Sequence, residues 1–197
     1  MTTKTDFIFK LSKILYLDNF SVFLHNKEIL ENGLTGYFDE ESKEVSVAMR
    51  NPLSFEVFVH EYCHYIQWKE KIFWDSCTNY QDFFNWLDDG DLQLTDNQLI
   101  NSFTDLINLE HDCEKRAIKL LKLNSIEYVD IDFYIRSANL YLWHYNFNKK
   151  FRKKPKKPIY LYENLVKIMP NQFFDRDDYL VTDRLCPDII KEIEKVY

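Results

Sequence analysis

A chain of 197 residues that is 46% hydrophobic and 17% aromatic can bury one full core, which excludes a disordered protein and leaves little room for a second domain. With only 3 Gly and 5 Pro it lacks the turn residues of a tight-turned all-β architecture. A net charge of −7 gives no general pull toward nucleic acid or anionic membranes, and no run nears the ~18 apolar residues of a membrane span.

The N-terminus lacks the basic segment and long apolar stretch of a secretory signal. The 4 Cys (Cys63, Cys77, Cys113, Cys186) are dispersed, which reads as reduced thiols in a cytoplasmic protein.

In chain order, Phe7, Leu11, Ile14 and Leu15 have helical spacing, so Asp6 to Leu17 predicts a short amphipathic helix. Phe20 to His25 is a compact apolar run that fits a buried strand. Gly33 to Phe38, the polar Asp39 to Lys43 and the alternating Val45 to Met49 predict two strands around a turn. The expectation is a small antiparallel sheet leading into a helix, with Asn51-Pro52 ending the last strand and opening that helix.

The helix covers the apolar run Leu53 to Trp68 and carries His60-Glu61-Tyr62-Cys63-His64, an H-E-x-x-H pattern. Residues four apart share a helix face, so His60 and His64 can aim two imidazole nitrogens at one point, as a zinc ion requires. Glu61 points to one side, within reach of a water on that metal. The bland alternative is a pair of hydrogen-bonded core histidines.

From Ile72 to Gly90 the chain is aromatic and acidic and predicts a loop and a short helix ending at Gly90. Thr95 and Gln98 form a candidate capping box for a long helix to about Leu123. Its apolar face holds Leu99, Phe103, Leu106, Ile107, Ala117 and Leu121, with Glu110 and Glu114 in the middle. Carboxylates are seldom buried unpaired, so these two call for an explanation. In the metal reading Glu110 is the third ligand. Glu114 then accepts a hydrogen bond from a ligand histidine or is the alternative ligand. Ion pairing with Arg136 or a lysine would also account for them, and His111 lies off the face.

This pattern resembles the zincin metallopeptidases whose third ligand is Glu, and more distantly the ImmA/IrrE-type small zincins. Leu109 to Ala117 and Tyr134 to Tyr141 look like a family of phage-encoded proteins described as metallopeptidases, a resemblance over roughly residues 34–180. It implies a zinc hydrolase fold and adds little about substrate; the expected substrate is a peptide or protein, met in the host cytoplasm for a phage-encoded chain. Glu114 departs from the Asp commoner at that place.

Ile131 to Phe147 predicts a further apolar helix. Tyr141, Tyr145 and His144 on it are candidates to steady an oxyanion, against a simpler role as packed core rings. Lys149 to Pro158 is the one basic stretch and predicts a solvated loop. It seats the rival reading, a non-catalytic interaction protein with structural or no zinc that meets nucleic acid or a host protein. Asp188 to Val196 predicts a terminal helix. The expected fold is a mainly helical, zincin-like α+β domain over residues 1–197, with Zn²⁺ held by His60, His64 and Glu110 and with Glu61 as general base.

Overall fold

The structure, a computed structural model, describes residues 3–71, 74–126 and 129–197. It is an α+β fold, 60% helical, and its described residues form seven α-helices and a three-stranded sheet. The chain gathers into two compact units that interleave in sequence. One is Met1–Ile72 with Cys113–Asp130, and the other is Phe73–Asp112 with Ile131–Tyr197.

The first unit opens with α1 (Lys4–Leu17), capped reciprocally by Thr3 and Asp6. The Asp6 amide donates to Thr3 Oγ1 at 3.1 Å and the Thr3 amide to an Asp6 oxygen at 3.3 Å. Phe7, Leu11 and Leu15 form its buried stripe. Strands β1 (Ser21–His25), β2 (Gly36–Asp39) and β3 (Glu44–Ala48) follow, in sheet order β1-β3-β2. The β2–β3 hairpin is antiparallel as expected, and Asp39 Oδ1 organises its turn by accepting from the Glu41 and Ser42 amides at 2.8 and 3.1 Å. The sheet as a whole is not antiparallel, because β1 runs parallel to β3. The chain leaves β1, returns along β2 and reverses again, so β3 takes the direction of β1 and slots in beside it.

Helix α2 (Ser54–Glu70) lies against β2 and β3. It starts two residues past Pro52, because the Asn51 side chain accepts from the Leu53 amide at 2.8 Å and holds Pro52 in the preceding turn. It stops at Lys71, whose φ of 60° is left-handed. Phe55, Phe58, Val59, Tyr62, Cys63 and Tyr65 are buried around it, as its all-round apolar sequence requires. The C-terminal part of α4 (Asp96–Leu123) completes this core with Cys113, Ala117, Ile118 and Leu121. Arg116 pairs with Glu70 at 2.7 Å on its outer side.

In the second unit α3 (Tyr80–Asp88) ends before Gly90, and Ile72 and Phe73 of that stretch lie outside the described residues. The capping box of α4 forms as predicted, with the Thr95 amide donating to Gln98 Oε1 at 2.9 Å. Phe83, Phe103, Leu106, Ile107, Trp143, Phe147 and Tyr179 are among its most buried side chains. Helix α5 (Ile131–Phe151) runs four residues beyond the expected end, taking Lys149 and Lys150 into its last turn. Cations there suit the negative end of the helix dipole. Lys149 sits 3.7 Å from the Phe103 ring centroid, and Lys150 pairs with Glu194 at 2.5 Å. Arg152 then donates to the carbonyls of Trp86, Asp89 and Leu92, and Lys154 pairs with Asp88. The basic stretch is thus engaged inside its own unit. After α6 (Glu163–Ile168) the chain is fastened by Asn139, which donates to the carbonyls of Pro170 and Gln172 at 2.7 and 2.9 Å. It closes with α7 (Pro187–Glu194). Among the described residues no helix is long and apolar enough to cross a membrane.

Candidate metal centre

His60 and His64 lie one turn apart on α2, and their Nε2 atoms approach to 3.0 Å. What stands behind each ring decides what that approach means. His64 Nδ1 is 2.9 Å from the amide oxygen of Gln67, a fully buried residue one turn further along α2. His60 Nδ1 is 3.1 Å from Glu114 Oε1, on the C-terminal part of α4. Both partners can accept, a setting that suits a hydrogen on each Nδ1 and so presents Nε2 as the metal-binding atom of each ring. A zinc ion binds imidazole nitrogen at about 2.0–2.1 Å, so one ion can reach both. The donor set fits the metal.

Cys113 joins this group. Its thiol donates to the His60 carbonyl at 3.2 Å and lies 3.6 Å from His60 Nδ1. Donor atoms of His60, His64 and Cys113 all fall within 4.8 Å of one another, close enough to share an ion. In this arrangement the sulfur stands on the Nδ1 side of His60, beside Glu114, where it braces the ring. Glu114 therefore occupies the supporting position that the sequence offered it. Burial pushes the Cys63 thiol well above its ordinary range, which keeps it a neutral packing group.

Glu61 is 8% exposed and lies under the first residue of β2. A Cβ built on Gly36 would stand 3.2 Å from Glu61 Oε1. Gln67 and Cys113 are the residues of this centre that sequence reasoning passed over. Gln67 was within reach of the same spacing argument that found the histidines, being three residues beyond His64 on one helix face.

If Gln67 and Glu114 fix the ring tautomers, Gln67→Ala and Glu114→Ala should each weaken zinc binding by about 10–100-fold, read by competition with a chromogenic chelator. Unchanged affinity would remove that role.

Glu110, His144 and Tyr141 belong to the second unit. Glu110 is buried, at 6% exposure. His144 Nδ1 donates to the Tyr141 carbonyl, and the two rings stack at 5.2 Å. Burial pulls the His144 pKa down to about 4, partly opposed by the Glu110 carboxylate. His144 is therefore neutral near pH 7 with its single hydrogen already used, which makes it a poor donor to an oxyanion. The Tyr141 hydroxyl accepts from Tyr145 at 2.6 Å. His111, placed off the apolar face by its spacing, is nevertheless buried against the Phe173 and Tyr179 rings.

No family model, no curated protein and no solved structure matches the chain.

Proposed function

We propose that this chain is a zinc-dependent hydrolase that cuts peptide bonds of a peptide or protein substrate. The observation that carries the reading is the approach of the two Nε2 atoms to 3.0 Å, with Glu61 beside them in sequence. His60 and His64 would hold the ion, each through Nε2. When bound, zinc supplies an acidified water and a polarised carbonyl. Glu61 takes up a proton at its carboxylate and returns it to the leaving amine. Gln67 and Glu114 would hold the rings in orientations that turn Nε2 toward the ion. Four free cysteines suit a reducing compartment, so we place the activity in the cytoplasm.

The wild-type chain should take up one equivalent of zinc, and His60→Ala with His64→Ala should abolish that uptake. Cleavage of internally quenched fluorescent peptides should stop on chelation and return with zinc. A chain that binds no zinc, or cleaves equally well without it, rejects the reading.

Cys113 favours a second reading, a structural ion with a sulfur ligand and no position for water. A sulfur-to-cobalt charge-transfer band in the cobalt-substituted protein, lost in Cys113→Ser, would support it. The internal contacts of Lys149, Lys150, Arg152 and Lys154 speak against the basic stretch as a nucleic-acid surface.

A further inference from the structure

Gly36 opens β2, an edge strand whose neighbour in the sheet is β3. Its backbone is not left-handed, so glycine is not required there for conformational freedom. Space is what requires it. A Cβ at this position would stand 2.5 Å from Val57 Cγ1 and 3.2 Å from both Cγ and Oε1 of Glu61. Val57 and Glu61 are four residues apart on α2, so one face of the helix presents both to the same point of the strand. The first contact is shorter than real Cβ atoms tolerate. Val57 cannot swing aside cheaply, because a β-branched side chain in a helix has one strongly preferred rotamer. A side chain at position 36 must therefore push the strand off the helix, displace the Glu61 carboxylate, or do both.

We propose that Gly36 is a positioning residue for Glu61. The bare strand lets the Glu61 carboxylate lie against β2, with Oε1 on the strand side. This rests on the hydrolytic reading above and adds to it the device that aims the base. Misplacing a reacting group by an ångström costs on the order of 10²-fold in rate, which sets the upper end of the effect.

The test uses three variants of the full chain: Gly36→Ala, Val57→Ala and the double variant. Val57→Ala removes the shorter contact and should leave kcat on quenched fluorescent peptides near wild type. Gly36→Ala should lower kcat by about 10–100-fold while KM and zinc stoichiometry hold. The double variant separates packing from aim, because relief at Val57 leaves Glu61 as the nearest neighbour of the new Cβ. Its kcat should stay low, and its metal-free crystal structure should show the Glu61 carboxylate moved away from the strand. A double variant that recovers the kcat of Val57→Ala, or whose carboxylate has not moved, overturns the proposal and leaves the hydrolytic reading intact. A wild-type protein without hydrolysis rejects that reading instead, and the crystallographic comparison then decides the positioning of Glu61 by itself.

Discussion

Glu61→Gln should keep one equivalent of zinc and lose peptide hydrolysis by about 10²–10⁴-fold. The substitution is nearly isosteric, and at 8% exposure the site leaves little room for anything larger. It exchanges one carboxylate oxygen for an amide nitrogen, and the neutral amide cannot take up the proton. The ion would be held by His60 and His64, whose Nδ1 atoms meet Gln67 and Glu114. Zinc binding and hydrolysis therefore come apart in this variant if Glu61 is the base. Full activity in Glu61→Gln would remove the mechanism. Loss of zinc as well would recast Glu61 as part of the metal's support.

The second large effect concerns stability in acid. His144 has its pKa pulled down to about 4 by burial, below the 6.5 of an open imidazole. The unfolded chain binds the proton first as pH falls, so the folded state loses stability from about pH 6.5 down to about pH 4. Near pH 4.5 the loss from this one group amounts to roughly 2–3 kcal/mol. Two charged groups act on it within its unit, with Glu110 raising the pKa and Lys154 lowering it. His144→Asn should flatten this part of the profile, so urea unfolding at about pH 7 and about pH 4.5 should differ less than in wild type. An equal pH dependence in the two proteins would contradict a buried neutral imidazole.

The helices were legible because each buries a stripe whose spacing can be read from neighbouring letters. Phe7, Leu11 and Leu15 mark α1, and the Thr95–Gln98 box marks the start of α4. The parallel pairing of β1 with β3 was not legible, since strand pairing depends on partners distant in the chain. The end of α5 was misread for a related reason. Lys149 and Lys150 look like loop residues until Phe103 and Glu194 are placed beside them. The histidine pair was visible from spacing alone. Glu110 and Glu114 were not separable on a helical wheel, where they lie one turn apart, and the contact with His60 Nδ1 distinguishes Glu114. In sequence Gly36 is one letter of the strand run Gly33 to Phe38, and only the approach of Val57 and Glu61 gives it a meaning of its own.

The supports of the two histidines differ in where they come from. Gln67 reaches His64 within α2, so that half of the centre exists as soon as a single helix forms. Glu114 and Cys113 reach His60 from α4, across a long intervening stretch of chain, so the other half waits for the loop to close and the helices to pack. An ion that needs both nitrogens would favour the closed arrangement over any partly open one. Metal affinity would then report the docking of α4 on α2, and the folding of the first unit and its loading with metal would be coupled steps.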